Sequence, residues 1–274
     1  MLICGDALNE LKKLKNDYID MGVTSPPYNK QENKKGWLVK NVLYESISDK
    51  KNEIEYQKEQ IKVLNELFRI IKPGGSFFYN HKIRWERGEM IHPLKWIWQS
   101  NWHLRQEIIW DRSIAANIRG WRFWQIEERI FWLYKPINNN LIGEELASKH
   151  ALLSSIWRIR PENKNNHPAP FPLAIPLRCI LSILNNNKGL IIDPYMGSGT
   201  TGVAAKYLDC DFIGIEHSKE YLENAKIRIQ NYKNEEKIAQ NEINLHIVKE
   251  SFDIKKEKGK TKNRFKQNNM LFDI

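Results

Sequence analysis

The segment from residue 190 to residue 202 constrains the fold more than any other part of this sequence. A short apolar run at 190–192 is followed by Gly197, Gly199 and Gly202 in the spacing Gly-x-Gly-x-x-Gly. After a strand and before a helix, this spacing is typical of an α/β turn whose backbone closely approaches an adenosine-containing ligand. Glu216 ends the next apolar run, and a carboxylate there can accept hydrogen bonds from two ribose hydroxyls.

The rest of the 274 residues repeats the same alternation. Short apolar runs bounded by turn residues are separated by stretches with helical periodicity, the pattern of an α/β domain. It predicts one doubly wound sheet of seven strands, mostly parallel, with crossover helices. The strands are expected near residues 1–4, 19–24, 76–80, 106–111, 129–134, 189–193 and 211–216, and the helices near 54–72, 91–100, 172–186, 200–208 and 218–231.

Asp193 directly precedes the glycine turn and narrows the choice of ligand. A carboxylate at this point would repel a pyrophosphate but could bind an ammonium group. S-adenosylmethionine carries an ammonium group and no phosphate, and no lysine follows the glycines at the P-loop spacing. The turn therefore favours S-adenosylmethionine, with a nicotinamide-dependent oxidoreductase as the alternative.

A second motif, Thr-Ser-Pro-Pro-Tyr-Asn, occupies residues 24–29 directly after a predicted strand. Its two prolines fix the backbone and remove two N–H donors, which leaves the Ser25 hydroxyl and the Pro26 carbonyl as acceptors. Two acceptors aimed at one exocyclic amino group would orient that nitrogen toward an electrophile, and Tyr28 offers a face for stacking a base. A base inside a duplex cannot reach such a pocket, so this interpretation requires base flipping.

The chain carries 43 Lys and Arg against 33 Asp and Glu, a net charge of +10. This excess favours a polyanionic partner, because neutralised phosphates release counterions; a merely basic protein without such a partner is the alternative. The three cysteines, Cys4, Cys179 and Cys210, have no metal-ligand spacing, and no apolar run reaches the length of a membrane span. These features predict a cytoplasmic protein with reduced thiols, no metal and no membrane partner.

Three stretches do not fit the α/β core. Residues 30–53 form a long Lys-rich connection, predicted to be a mobile functional loop. Residues 112–166 interleave arginine with tryptophan, a pattern that suits phosphate contact and base stacking, or else an ordinary strand edge. Residues 232–274 are rich in Lys and Asn with weak periodicity, and are predicted to be a basic, loosely attached tail.

The two motifs together resemble the signature of DNA amino-methyltransferases within the class I S-adenosylmethionine-dependent methyltransferases. The glycine turn has that family's Asp-Pro-Tyr-x-Gly-Ser-Gly-Thr-Thr form, and its position after the Ser-Pro-Pro-Tyr motif is the order of the β class. The resemblance implies a circularly permuted Rossmann-like methyltransferase domain over 1–231, with a small target-recognition insert at about 112–166. The residues that it implies for cofactor binding are Asp6, Phe171, Asp193, Gly197, Ser198, Gly199, Thr200, Thr201 and Glu216.

The resemblance also implies the reaction. Ser25, Pro26, Pro27 and Tyr28 would be the catalytic residues, and no cysteine lies in the Pro-Cys context that methylation of a ring carbon requires. Family members with Ser at the first position mostly methylate cytosine N4, so N4 is expected here, with adenine N6 as the alternative. Double-stranded DNA is the implied partner, and a cognate restriction endonuclease and a second copy of the chain are further candidates. A non-catalytic DNA-binding module is the rival from another class.

Overall fold

The computed structural model describes residues 1–29, 51–115, 120–138, 154–162, 171–184 and 188–245. Its strands are β1 Leu2–Cys4, β2 Ile19–Thr24, β3 Ile71–His81, β4 Arg84–Glu86, β5 Glu89–Ile91, β6 His103–Asp111, β7 Glu127–Tyr134, β8 Ile156–Arg158, β9 Leu190–Asp193 and β10 Asp211–Glu216. Its helices are α1 Ala7–Leu11, α2 Glu53–Ile70, α3 Leu94–Ile97, α4 Ala174–Leu184, α5 Thr200–Tyr207, α6 Lys219–Gln230 and α7 Glu236–Leu245, with a 3₁₀ turn at Tyr232–Glu235.

The main sheet has the strand order β1-β10-β9-β2-β3-β7-β6-β8, and β4 and β5 form a separate hairpin. Within the main sheet, as far as the structure describes it, β7 alone runs antiparallel to its neighbours. The late strands β9 and β10 lie between the early strands β1 and β2, which is the permuted order that the two motifs predict. The doubly wound, mostly parallel α/β fold is therefore confirmed.

The sheet has eight strands rather than the expected seven. The additional strand, β8, pairs in parallel with β6, where Trp157 lies opposite Trp110. The indole N–H of Trp110 donates to the Ile159 carbonyl at 2.7 Å, and Trp157 is buried. Three residues carry no readable periodicity, so this strand is specified by tertiary contacts rather than by local pattern.

Both faces of the sheet are covered by core clusters, and neighbouring strand residues enter opposite clusters because their side chains alternate in direction. Phe77 and Tyr79 of β3 pack in the cluster that contains α2, whereas Phe78 points to the opposite cluster. There the ring of Phe78 stacks on Trp132 with centroids 5.5 Å apart. This two-sided core explains why the strands read as continuous apolar runs.

The turn between α2 and β3 differs from the expected simple stop. The helix ends at Ile70, and the strand begins immediately, so that 72–75 belong to β3 as an irregularity in its pairing with β2. Gly74 has a φ of +83°, a region that favours glycine. The helix expected at 91–100 is also shorter, spanning only Leu94–Ile97, because Ile91 pairs within the β4–β5 hairpin.

The start of the expected loose tail is instead part of the folded domain. Helix α7 packs on α4, and the Arg178 guanidinium forms a two-hydrogen-bond ion pair with Glu242, at 2.7 and 3.1 Å. Both side chains are about nine-tenths buried, and Arg178 also lies 5.0 Å from the ring of Trp157. The segment after the boundary expected at residue 232 thus includes a helix that packs on α4, and residues 246–274 lie outside the described part. None of the described helices is long and apolar enough to cross a membrane.

Replacing Glu242 by Gln should lower the free energy of unfolding by about 3 kcal/mol, because Arg178 would keep a buried charge without its carboxylate. Glu236→Gln is the matched control, since Glu236 lies exposed on the same helix. Urea unfolding of the two variants and the unaltered protein measures the difference. Equal stability of the two variants would show that the Arg178–Glu242 ion pair does not stabilise the domain.

Candidate active site

The predicted functional residues meet at one edge of the sheet, where the parallel strands β1, β10, β9 and β2 end. Their last residues and the residues that follow carry Asp6, Glu216, Asp193 and Ser25. The register keeps them adjacent, since Cys4 lies opposite Glu216 and Gly214 lies opposite Asp193. Ligands of open α/β sheets bind at this carboxyl edge.

Asp193 joins the two sequence motifs. The hydroxyl of Thr24, the residue directly before Ser25, donates to Asp193 Oδ1 at 2.6 Å, and the Thr201 hydroxyl of α5 donates to Oδ2 at 2.6 Å. The Tyr195 amide donates to Oδ1 at 3.1 Å. One carboxylate therefore holds the end of β2 against the start of α5.

Asp193 is fully buried, and this burial raises its pKa to about 6 even though the hydrogen bonds from Thr201 and Thr24 act in the opposite direction. Since no surface of the side chain is accessible, its position favours an indirect role beneath the turn over the expected direct contact with a ligand ammonium. The carboxylate positions the backbone of the turn.

The glycine turn has the backbone that its sequence requires. Gly197 has a φ of +52°, and Gly199, at the N-terminus of α5, has a φ of +79°. Glu216 fixes this turn through one oxygen, which accepts from the Gly197 amide at 2.9 Å; its other oxygen accepts from the Ser218 amide at 2.9 Å. A carboxylate has about four acceptor positions, so Glu216 can still accept from a hydroxyl of a ligand.

Arg228 of α6 also binds the glycine turn. Its guanidinium donates to the hydroxyls of Ser198 and Thr200, each at 2.9 Å. It also pairs with Glu235 at 2.8 Å and with Glu162 at 3.2 Å. Burial alone would lower the pKa of Arg228, but these two carboxylates raise it above its ordinary value. The side chains of Ser198 and Thr200 thus stabilise the turn by accepting from Arg228.

Asp6 and Phe171 lie at opposite extremes of exposure. Asp6 is exposed and caps α1 by accepting from the Asn9 amide at 3.0 Å. Phe171 is buried in the core cluster that includes Val23 and Val203. Their expected contacts with the two ends of a cofactor remain predictions.

The Ser-Pro-Pro-Tyr motif is held by a buried polar network that the sequence did not predict. The hydroxyls of Ser25 and Tyr28 lie 2.7 Å apart, and Tyr28 donates to Glu128 Oε2 of β7 at 2.8 Å. Asn80 Nδ2 of β3 lies 2.7 Å from Tyr28 Oη, 3.1 Å from Glu128 Oε2 and 3.2 Å from Ser25 Oγ. Arg112 pairs with the other oxygen of Glu128 at 3.2 Å.

The donors and acceptors of this network set the direction of the Ser25 hydroxyl. Tyr28 gives its only proton to Glu128, so Ser25 must donate to Tyr28 if that contact is a hydrogen bond. Ser25 Oγ then keeps one acceptor position beyond the one facing Asn80. Asn80 Oδ1 is buried without a partner among the described residues.

The carbonyl groups of the two prolines differ in their partners. We call Ser25 Oγ and the Pro26 carbonyl together the acceptor wall. The Pro27 carbonyl accepts from the Tyr56 hydroxyl at 2.7 Å, whereas no donor among the described residues reaches the Pro26 carbonyl. Tyr28 is only 8% exposed, and its ring lies tilted against His81 with centroids 4.8 Å apart. Its burial favours the hydroxyl over the ring face as the functional part of Tyr28; stacking on a base remains a prediction.

The ends of the predicted mobile loop are tied together at the base of the site. Asn29 Oδ1 accepts from the Lys51 amide at 2.7 Å, and Asn29 Nδ2 donates to Glu53 at 3.1 Å. Glu53 in turn forms a two-hydrogen-bond ion pair with Arg84, at 2.6 and 2.8 Å. Burial would raise the pKa of Glu53, but hydrogen bonds from Arg84, Gln57 and Asn29 lower it. Residues 30–50 themselves lie outside the described part of the chain.

A family model described as DNA methylase, N6_N4_Mtase, matches residues 19–227, a span that includes both motifs. The chain belongs to this DNA methylase family. This match favours a methylase over the alternative, a nicotinamide-dependent oxidoreductase. Across the described ranges the chain holds no group of three or more His, Cys, Asp or Glu side chains arranged to bind a metal ion.

The methylase is similar to named type II methyltransferases. M.HinfI of Haemophilus influenzae is 27% identical over 254 residues, which are 85% of this chain and 68% of that protein. M.HpaI of Haemophilus parainfluenzae is 29% identical over 253 residues, 83% of this chain and 73% of that protein.

Two solved structures share the fold. The PvuII DNA methyltransferase, named as cytosine-N4-specific, superposes with a TM-score of 0.63 at 20% identity, covering 87% of this chain and 92% of that one. TTHA0409 of Thermus thermophilus, complexed with S-adenosyl-L-methionine, superposes with a TM-score of 0.60 at 23% identity, covering 84% of this chain and 95% of that one. These likenesses establish the methyltransferase fold of the sheet and helices.

Proposed function

We propose that this DNA methylase transfers a methyl group from S-adenosylmethionine to the exocyclic N4 of a flipped-out cytosine, with adenine N6 as the alternative target. The observation that carries the proposal is the pair of acceptors at Ser25 and Pro26, tied through Thr24 and Asp193 to the glycine turn. A wall of acceptors suits a group that carries two N–H donors.

The residues at the glycine turn fit S-adenosylmethionine. Asp6 and Glu216 supply carboxylate acceptors at neighbouring strand ends, and Gly197 and Gly199 bring the backbone close to a ligand. The absence of a P-loop lysine from the turn favours a cofactor without phosphates. When bound, this cofactor supplies an electrophilic methyl group on sulfur. TTHA0409, a protein of the same fold, has been crystallised with it.

The chain contributes position and proton transfer. Ser25 Oγ and the Pro26 carbonyl each accept one amino hydrogen, which directs the nitrogen lone pair toward the cofactor side of the edge. The amino group gains positive charge as the new bond forms, and the nearby acceptors stabilise that charge. The hydroxyls of Ser25 and Tyr28 then give the surplus proton a path to Glu128, whose carboxylate faces Arg112 on its other oxygen.

The target base and biological role rest on resemblance. Ser25 stands where cytosine-N4 enzymes mostly carry Ser and adenine-N6 enzymes mostly carry Asp. Both chemistries need the same acceptors, so this residue favours N4 rather than requiring it. The relatives named as type II methyltransferases support a role as the modification enzyme of a restriction-modification system. Double-stranded DNA is accordingly the proposed substrate, and a partner endonuclease and a homodimer remain proposals.

Incubation with methyl-labelled S-adenosylmethionine and genomic DNA, followed by digestion to nucleosides, tests the function. The expected product is N4-methylcytosine. Label in N6-methyladenine would support the alternative base instead. Label only in RNA or protein would contradict DNA methylation, and cofactor and DNA binding without any product would favour the non-catalytic module.

Ser25→Ala should lower kcat by about 10²- to 10³-fold, because one acceptor of the amino group and the first hydroxyl of the proton path are lost. The dissociation constant for S-adenosylmethionine should stay within about twofold, since Ser25 lies outside the glycine turn. Ser100→Ala is the matched control at the opposite edge of the sheet. Weaker cofactor binding with unchanged turnover in Ser25→Ala would show that Ser25 has a different role.

A further inference from the structure

The loop between β6 and β7 exposes three large aromatic side chains close together in sequence. Phe123 is 97% exposed, Trp124 is 62% exposed and Trp121 is 57% exposed. Full exposure of a phenylalanine forgoes the hydrophobic stabilisation that its burial would supply. An exposed apolar cluster of this kind marks a surface that another molecule covers.

The loop lies at the same edge of the sheet as the acceptor wall. Strand β6 ends and β7 begins at the edge where β2 and β3 end, because β7 is antiparallel to both β3 and β6. Glu128 contacts the Tyr28 hydroxyl and is five residues from Phe123. Five residues span at most about 18 Å, so the Cα atom of Phe123 lies within about 18 Å of the Cα atom of Glu128 beside the proposed base pocket.

The backbone on both sides of Phe123 is anchored. Gln125, only 5% exposed, donates to the Ile83 carbonyl at 3.0 Å. The Arg122 guanidinium lies 4.0 Å from the centroid of the Trp85 ring, and it donates to the Phe123 carbonyl at 3.1 Å. These contacts hold residues 122–125, while the phenyl ring of Phe123 is exposed to solvent. The exposed ring of Phe123 therefore projects from a segment whose neighbouring residues are held by contacts to the β4–β5 hairpin and to Ile83.

Exposed arginines lie on elements next to the loop, together with the exposed Glu89, and Arg158 lies 3.6 Å from Asp111. Arg87 at the tip of the β4–β5 hairpin is exposed, as are Arg158 and Arg160 at the end of β8. Since β8 is parallel to β6, its end lies at the same edge. Exposed arginines around an aromatic tip complement the phosphates of a nucleic acid duplex.

We propose that Phe123 is the wedge that enters the DNA duplex and fills the gap left by the flipped target base. Flipping removes one base from the stack and costs unpairing and unstacking energy. An apolar ring that stacks between the remaining bases offsets this cost, as inserted wedges do in proteins that deform DNA. This inference rests on the proposed methylation of a flipped base and names the residue that makes flipping favourable.

The test compares two duplexes that carry the recognition site, mapped beforehand by methylation-sensitive sequencing of DNA exposed to the protein. In one duplex the target base is paired; in the other it lies opposite an abasic site, so that little pairing energy opposes flipping. Phe123→Ala should lower kcat/KM on the paired duplex by roughly 5- to 150-fold, the cost of losing one stacking contact. On the abasic duplex the loss should shrink to about twofold or less.

Matched variants separate a wedge from a general binding surface. Phe123→Trp keeps a stacking ring and should retain activity within about threefold, since every base offers a face to either ring. Trp98→Ala removes an aromatic ring that is 70% exposed just before β6, at the opposite edge, and should change neither rate. Equal loss on both duplexes, or no loss on either, would overturn the assignment of Phe123. Absence of methylation by the unaltered protein on any DNA would instead contradict the proposed function.

Discussion

The hydrogen bonds of Asp193 to Thr24 and Thr201 are the contacts on which the rest of the site depends. Without them, no side-chain bond to Asp193 would link the Ser-Pro-Pro-Tyr motif after β2 to the glycine turn between β9 and α5. The two short bonds, each 2.6 Å, bring the acceptor wall and the glycine turn into one rigid unit. In-line transfer needs such a unit, because misplacement of the reacting atoms by about 1 Å can cost a hundredfold in rate.

This arrangement costs stability. The pKa of Asp193 is about two units above its ordinary value, so keeping the carboxylate ionised in the folded protein costs about 3 kcal/mol. Because the folded pKa is the raised one, the favourable contribution of Asp193 is complete below about pH 4 and is lost as the pH rises through about 6. The protein thus carries at neutral pH a buried charge that the fold alone would not favour, as is common at functional sites.

Local patterns in the sequence predicted much of the fold and the two motifs that the structure brings to one edge of the sheet. The strand at 190–193, the turn at 197–202 and the Ser-Pro-Pro-Tyr motif are contiguous, so spacing and backbone chemistry reveal them. Glu128, Asn80 and Arg228 escaped prediction because their partners lie far away in sequence, up to 100 residues for the Tyr28–Glu128 bond. Helix α7 was missed because its segment is polar on average, and its buried partner Arg178 lies on α4, far away in sequence.

The most direct test of the account is the affinity of Thr24→Val for S-adenosylmethionine, measured by calorimetry beside a thermal unfolding control. Thr24 is fully buried and has no surface for a ligand, so it can affect the cofactor only through Asp193. Valine keeps the shape but removes a hydrogen bond to a buried carboxylate, and the dissociation constant should rise by about tenfold or more. An unchanged dissociation constant in a folded variant would contradict the claim that Asp193 couples the catalytic motif to the cofactor turn.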